Sequence, residues 1–206
     1  MTRRRWRMRG FTLVELMITI AVAAILAVVA VPSFTRAIHR NQVSSASNAL
    51  LADLGYARAE AITRGTYVSV CPSTDGKSCS DSDTWESGWL VYTYTAGNAV
   101  ANKDYDDSAD TNVLLRHTSV RNGVSVRGQS ADVITFGPQG EMKPDGTTFA
   151  LATCYRAGSS DESGDGHSTT SVPGNMLSLQ ASGNVVNTTL SAMDSACVPA
   201  APSSSP

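Results

Sequence analysis

The most pronounced feature of the hydrophobic pattern is a continuous apolar stretch close to the N-terminus. Residues 11–31 read FTLVELMITIAVAAILAVVAV and contain a single charged residue, Glu15. As a helix rising about 1.5 Å per residue, this segment would be roughly 30 Å long, which matches the hydrocarbon core of a bilayer. The pattern therefore predicts a transmembrane helix over residues 11–31.

After Pro32 the hydrophobic pattern changes to that of an amphipathic helix. Apolar residues recur every three to five positions, and charged residues fall between them. Because proline lacks a backbone N–H, we expect Pro32 to bend or locally melt the helix. Gly65 is a typical stop signal, so residues 32–64 are predicted to continue the helix of 11–31. The apolar stripe consists of Phe34, Ile38, Val43, Ala46, Leu50, Leu54, Ala57 and Ala61.

From residue 65 onward, short β-branched and aromatic runs alternate with turn clusters rich in Gly, Pro, Asp and Ser. These runs indicate an antiparallel β-sheet head over 65–198, followed by a disordered tail over 199–206. The predicted fold class is α+β, with the second half of the long helix packed on the sheet. The predicted strands are residues 66–70, 89–95, 113–120, 124–126, 133–136, 149–155, 176–179 and 185–189.

The charges are distributed unevenly along the chain. The formal net charge is −2, from 16 Lys+Arg and 18 Asp+Glu, and five of the arginines precede Gly10. By the positive-inside rule these arginines place the N-terminus in the cytoplasm and everything after the apolar helix on the opposite side of the membrane. The remaining chain is acidic, which argues against a general nucleic-acid binder.

Glu15 gives the apolar segment its most specific signal. An unpaired carboxylate within lipid costs about 2.5 to 3.5 kcal/mol, so it needs a partner. The run Arg9-Gly10-Phe11-Thr12-Leu13-Val14-Glu15-Leu16 resembles the class III leader junction of type IV pilins and type II secretion pseudopilins. The resemblance implies that residues 1–10 are a leader cut after Gly10 by a prepilin peptidase and that Phe11 is methylated. It also implies that Glu15 pairs with the N-terminus of a neighbouring subunit, and Pro32 matches the proline of the family's helix. The alternative is a plain signal anchor in which the glutamate occurs by chance.

The chain as a whole resembles the minor pilins of the FimT/GspH family. The resemblance is carried by residues 40–65 of the predicted helix and by the segments Cys71-Pro72, Trp89-Leu90-Val91-Tyr92 and Ile134 to Gly140. It implies a type IV pilin-like lollipop, a long helix with a β-sheet head. The implied partners are other minor and major pilins or pseudopilins, the prepilin peptidase and the inner membrane.

These observations lead to the hypothesis of a non-catalytic, single-pass minor pilin with a cytoplasmic N-terminus and a periplasmic head. It would be incorporated into a type IV pilus to prime or cap assembly. One alternative is an H-type minor pseudopilin of the type II secretion system, acting in protein export. A second alternative is a DNA receptor at the pilus tip.

The four cysteines of an exported head favour disulfide bonds. Three connectivities exist for four cysteines. We favour Cys71 with Cys79, which closes a loop after a strand, and Cys154 with Cys197, which ties the C-terminal segment to an internal strand. Zinc is the competing interpretation, but no Cys-x2-Cys spacing occurs and the three histidines are scattered. No metal site and no cofactor are predicted.

Catalytic motifs are absent from the sequence. Gly76-Lys77-Ser78 lacks the upstream glycine of a phosphate-binding loop, and neither G-x-S-x-G nor H-E-x-x-H occurs. Two acidic loops, 104–110 and 161–165, carry oxygen ligands suited to calcium, but a solvated loop explains them more simply. Trp85 and Trp89 are expected to pack in the core rather than to form a binding platform.

DNA is considered as a further partner because some FimT-like pilins are thought to bind it through a C-terminal Gly-Arg-x-Arg element. At the matching place this chain reads Ser182-Gly183-Asn184-Val185-Val186, without either arginine. Arg116, Arg121 and Arg127 on the middle strands are the substitutes. The simpler interpretation is that these arginines offset nearby aspartates.

Overall fold

The computed structural model describes residues 11–94, 101–108, 112–119, 122–144, 146–156, 164–192 and 197–200. The chain divides into two compact units, Met1–Ile38 and His39–Pro206. One helix, α1 (Leu13–Arg64), contributes to both units and agrees with the prediction to within two residues at its start. The leader 1–10 and the tail residues 201–206 lie outside the described residues.

Both ends of α1 follow ordinary capping rules. Thr12 is the N-cap, since its Oγ1 accepts a hydrogen bond from the Glu15 N–H at 3.2 Å, and its own carbonyl accepts from Leu16 at 3.2 Å. At the other end Gly65 has φ +64°, and the Thr66 N–H donates to the Ala61 carbonyl. This pattern is a Schellman motif, which explains why the helix ends at Arg64.

In the first unit, the helix is apolar and exposed on every side. Side chains from Leu13 to Leu26 are more than half exposed wherever they are large and apolar, and this is the one described helix apolar and long enough to cross a membrane. The helix continues through Pro32, so the local melting expected there does not occur. Thr35 Oγ1 and Arg36 Nε donate to the carbonyls of Val31 and Pro32, which gives these carbonyls side-chain partners around the proline.

In the second unit, the amphipathic part of α1 buries a regular stripe. Phe34 and Ile38, which the sequence pattern placed at the start of this stripe, belong to the first unit and are 71% and 42% exposed. The buried part therefore starts at Val43, about two and a half turns after the Phe34 that the pattern predicts. The remaining stripe residues are at most 1% exposed: Val43, Ala46, Leu50, Leu54, Ala57 and Ala61.

The predicted antiparallel sheet is confirmed and is divided into two sheets. The nine strands are β1 (Val68–Pro72), β2 (Gly88–Tyr94), β3 (Asn112–Ser119), β4 (Val124–Gly128), β5 (Ile134–Phe136), β6 (Met142–Lys143), β7 (Phe149–Tyr155), β8 (Asn175–Leu179) and β9 (Val185–Thr189). One sheet has the order β3-β2-β1-β5-β6 and the other β4-β7-β8-β9. All eight predicted strands are present, and the two-residue β6 is the addition.

The largest cluster of buried apolar residues that the structure describes joins the helix to both sheets. It contains Leu50 and Leu54 from α1, and it receives fully buried side chains from each sheet, such as Phe136 and Leu151. Trp85 and Trp89 are fully buried in the same cluster. Their predicted role in core packing is therefore confirmed.

Both favoured disulfides are present. Cys71 on β1 bonds to Cys79 with a Cα–Cα distance of 5.6 Å, and Cys154 on β7 bonds to Cys197 with a Cα–Cα distance of 5.9 Å. The first closes the loop that follows β1. The second attaches the segment after β9 to an inner strand of the four-stranded sheet, so the two bonds constrain different parts of the fold.

Candidate functional site

The start of α1 presents a free carboxylate on an apolar surface. Phe11 is 76% exposed, and Glu15 lies in the first turn of the helix. Within the described residues Glu15 has no ion-pair partner, and its backbone N–H is used by the Thr12 cap. A helix that is apolar all round belongs in a membrane or in a bundle of helices. Since this surface has no cover in the described chain, the carboxylate requires a cationic partner from outside it.

Asp53 is the polar residue that fixes α1 to the five-stranded sheet. Its carboxylate accepts hydrogen bonds from Trp89 Nε1 at 2.8 Å, Thr118 Oγ1 at 2.7 Å and the Arg116 guanidinium at 2.6 Å. The Asp53 side chain is 6% exposed, and the Arg116 guanidinium also covers the Tyr56 ring at 4.2 Å. This carboxylate therefore connects one turn of the helix to β2 and β3.

Replacement of Asp53 by alanine is expected to destabilise the second unit by about 3 kcal/mol, because it leaves the buried Trp89 N–H and the Arg116 charge without their acceptor. Urea unfolding of the full chain in detergent, followed by tryptophan fluorescence, measures the change. The matched control is Asn48→Ala, on the exposed face of the same helix, which should change the free energy of unfolding by less than about 0.5 kcal/mol. Equal effects of the two substitutions would contradict this role.

Arg58 makes a second connection, to one turn from each sheet. Its Nε donates to the Gly140 carbonyl in the β5–β6 turn at 2.8 Å, and its Nη2 donates to the Ser182 carbonyl in the β8–β9 turn at 3.1 Å. Gly183 has φ +75°, and a Cβ built on it would lie 1.8 Å from the Gly140 carbonyl oxygen. The β8–β9 turn, where the sequence analysis looked for a DNA-binding element, is thus packed against the helix and the other sheet.

Of the arginines suggested for DNA binding, the two that the structure describes, Arg116 and Arg127, do not form a cationic patch. Arg116 is paired with Asp53, and Arg127 is 7% exposed and lies 3.4 Å from both Glu86 and Asp165. Moreover, β3 and β4 are edge strands of different sheets rather than neighbouring middle strands. Arg121 lies outside the described residues. For Arg116 and Arg127, the simpler interpretation that they offset nearby acidic residues is confirmed.

The remaining sequence candidates have structural explanations where they are described. Asp75 accepts hydrogen bonds from the Lys77 and Ser78 N–H groups at 2.8 and 3.1 Å. In the Gly76-Lys77-Ser78 segment these two amides are therefore occupied by a carboxylate and do not present themselves to a phosphate. The hydrogen bond from Lys77 is the main reason that the pKa of Asp75 is lowered. In the described part of the chain no group of three His, Cys, Asp or Glu side chains could hold a metal ion. Residues 109–110 and 161–163 of the two acidic loops lie outside that part.

Sequence reasoning did not identify Asp53 and Arg58 as connecting residues. It placed Asp53 and Arg58 off the apolar stripe of the helix, which is the usual signal of a solvated residue. A charged residue beside a buried stripe is ambiguous in sequence, because it can face either solvent or a distant partner. Arg116 lies 63 residues from Asp53, and Gly140 lies 82 residues from Arg58. No local signal identifies such partners.

An apolar helix that starts with an unpaired glutamate and continues into disulfide-bonded antiparallel sheets defines a pilin-like filament subunit. Two family models match this chain: "Type II transport protein GspH" over residues 46–168 and "Prokaryotic N-terminal methylation motif" over residues 7–31. The first match covers more than half of the chain, and the chain therefore belongs to the GspH family of minor pilins and pseudopilins. It is a membrane-anchored pilin that assembles with other pilins.

Two kinds of solved structure are similar to this chain. The type IV minor pilin FimU of Pseudomonas aeruginosa is 22% identical, with 71% of this chain and 88% of that chain covered and a TM-score of 0.48. The minor pseudopilin EpsH from the type 2 secretion system of Vibrio cholerae is 13% identical, with 72% and 97% covered and a TM-score of 0.42.

Proposed function

We propose that this chain is a minor pilin of a type IV pilus that primes or caps filament assembly, in a structural and non-catalytic role. The observation that carries the proposal is Glu15, a carboxylate without a partner in the described residues, which lies among the exposed apolar side chains of residues 13–18. In a filament of such helices, a carboxylate at this depth selects a neighbour that presents a positive charge at the same level. The α-amino group of a processed subunit is such a charge.

Processing creates the complementary group. Cleavage between Gly10 and Phe11 by a prepilin peptidase removes the arginine-rich leader and exposes a new amine next to the apolar helix. Methylation of Phe11 leaves that amine able to carry a positive charge. A pair formed by Glu15 and the amine of a neighbour avoids the cost of about 2.5 to 3.5 kcal/mol for an uncompensated carboxylate in lipid.

The orientation follows from the charges of the leader. Its five arginines favour a cytoplasmic N-terminus in the inner membrane, and the disulfide-bonded second unit is suited to the oxidising periplasm. The subunit would then wait in the membrane as a single-pass protein until it is extracted into the growing filament. Removal of the leader by the peptidase is a condition for that step.

Processing is tested by intact mass and N-terminal sequencing of the protein recovered from membranes of cells with and without the prepilin peptidase. We expect a start at N-methyl-Phe11 only in cells that have the peptidase. A control variant, Gly10→Val, should keep the full leader in both strains because a larger side chain at the cut obstructs cleavage. An uncut Met1, or a start near Ser33, in the strain with peptidase would contradict the proposal.

The alternative is a minor pseudopilin of a type II secretion system, which the match to the type II transport protein GspH favours. The two machines are separated by the phenotype of a strain lacking this chain. Loss of surface pili with normal protein secretion supports the pilus, whereas retained pili with periplasmic accumulation of exported enzymes supports the secretion system. The role of Glu15 is the same in both.

A further inference from the structure

The strand β9 forms one edge of the four-stranded sheet, where it pairs with β8 alone among the described strands. The antiparallel register between the two strands runs without interruption over Val185–Thr189. Val186 is 36% exposed, and the three residues that follow it are exposed as well. The strand reads VVNTT, with neither a charged residue nor a proline. β9 is therefore a regular, uncharged and accessible edge strand.

The hydrogen bonds at the two ends of the β8–β9 ladder show which backbone groups of β9 point outwards. The Gln180 N–H donates to the Asn184 carbonyl at 2.9 Å, and the Leu190 N–H donates to the Gly174 carbonyl at 2.8 Å. Bonded pairs alternate with non-bonded pairs in an antiparallel ladder, so every second residue of β9 faces away from β8. The outward N–H and carbonyl groups are those of Val185, Asn187 and Thr189, and none of them bonds to a described residue.

Two other sheet edges are occupied by the chain itself. Beside β4, the Trp85 N–H donates to the Val126 carbonyl at 2.8 Å. Beside β6, the Met142 N–H donates to the carbonyl of Ala181, which follows β8, at 2.9 Å. The loop before β2 and the turn after β8 therefore supply partners that an added strand would have to displace.

The remaining edge strand, β3, carries two features that discourage another strand from adding to it. Its register with β2 shifts between Val91 and Tyr92, which marks a bulge or irregularity, and it carries Arg116, whose guanidinium is bonded to Asp53. Bulges and charged residues are the usual means by which natural sheets protect an edge. β9 has neither feature, so it is the described edge that is most open to strand addition.

The position of β9 beside α1 indicates which protein reaches this edge. Arg58 Nη2 donates to the Ser182 carbonyl in the β8–β9 turn at 3.1 Å, and Arg40 Nε donates to the carbonyl of Ser171, shortly before β8. The β8–β9 hairpin is thus attached to the second-unit part of α1 near both of its ends. Since pilins assemble with one another, a subunit that packs beside this part of α1 comes close to β9.

We propose that β9 is an interaction surface that accepts an extended segment of a neighbouring pilin subunit as an added strand. The outward groups of Val185, Asn187 and Thr189 form main-chain hydrogen bonds with that segment, as in other cases of strand addition. The uncharged side chains of β9 favour a partner segment that is also uncharged. This inference rests on assembly with other pilins, and it is independent of the pairing proposed for Glu15.

The test places the photocrosslinking residue benzoylphenylalanine at Thr188, which is exposed on β9, in the full chain in cells that assemble filaments. After irradiation, crosslinked products from membranes and from sheared filaments are identified by mass spectrometry. We expect a product that joins position 188 to another pilin subunit. Absence of a product, a crosslink within the chain only, or a product with a protein other than a pilin would overturn the proposal. Incorporation of the chain without a pilin product would refute the role of β9 and leave that of Glu15 intact.

Two further substitutions separate strand addition from contact through side chains. Asn187→Pro removes an outward N–H that the fold does not use, and edge strands accept proline at such positions. It should lower the yield of the pilin product by about fivefold or more, as expected for the loss of one or two hydrogen bonds. Asn187→Lys adds a charge of the kind that protects natural edges, and it should lower the yield as well.

The matched control is Asn187→Ala, which keeps the outward N–H and should change the yield by less than about twofold. Urea unfolding verifies that the second unit of each variant is folded. If the alanine variant loses as much of the product as the proline and lysine variants, the side chain rather than the strand edge makes the contact, and the proposal is wrong. Unchanged yield in both the proline and the lysine variant would also overturn it.

Discussion

Replacement of Glu15 by alanine is expected to reduce incorporation of the chain into filaments by roughly fiftyfold or more, with the second unit still folded. The reason is that the neighbour's amine, buried among apolar helices, loses its counter-charge at a cost of about 2.5 to 3.5 kcal/mol. The Glu15 side chain has no hydrogen bond or ion pair within the described residues, so the substitution removes no such interaction from the fold. Insertion into the membrane should persist, since the helix becomes more apolar.

The measurement compares the amount of the chain in sheared filaments with the amount in the membrane, for wild type and Glu15→Ala. Glu15→Gln separates charge from shape, and it should fail like the alanine variant if pairing with an amine is the function. The matched control is Thr19→Ala, one turn along the same helix, whose Oγ1 donates to the Leu16 carbonyl and to no other group among the described residues. Normal incorporation of Glu15→Ala would disprove this mechanism.

Replacement of Gly183 by alanine is expected to destabilise the second unit by about 3 kcal/mol or more. A Cβ at this position would lie 1.8 Å from the Gly140 carbonyl oxygen, which is backbone and cannot rotate away. The same carbonyl accepts the hydrogen bond of Arg58, so its displacement also loosens the connection to α1. The alanine would also have to adopt the left-handed conformation at φ +75°, which is unfavourable for a residue with a Cβ, and this cost adds to the overpacking.

Gly65→Ala is the matched control for Gly183→Ala. Gly65 has a similar φ of +64°, but a Cβ there meets nothing within 4 Å. This control should therefore cost only the backbone term, about 1 to 2 kcal/mol. Urea unfolding followed by tryptophan fluorescence gives both values, and equal losses in the two variants would show that the contact with Gly140 is unimportant.

The sequence was most informative where structure depends on local order. The apolar run and the Gly65 stop predicted α1 to within two residues, because helix formation depends on residues three or four positions apart. Eight strands were predicted because alternation and turn residues are local as well. The two-residue β6 was missed because it is too short to show a period. The leader motif and Glu15 were identified for the same reason, since processing acts on a contiguous segment.

The tertiary structure decided which distant residues meet. Strand periodicity does not specify partners, so the division into two sheets and the edge positions of β3 and β4 could not be predicted. The burial of Arg127 could not be predicted either. The sequence offered this arginine as a DNA contact, whereas the structure places it between the carboxylates of Glu86 and Asp165. Asp53 and Gly183 became structural residues only through partners from remote strands and turns. The sequence by itself determined the apolar helix and the leader motif that precedes it, whereas long-range packing determined the connections that fix the helix to the sheets, because buried polar groups must find partners wherever the fold brings them.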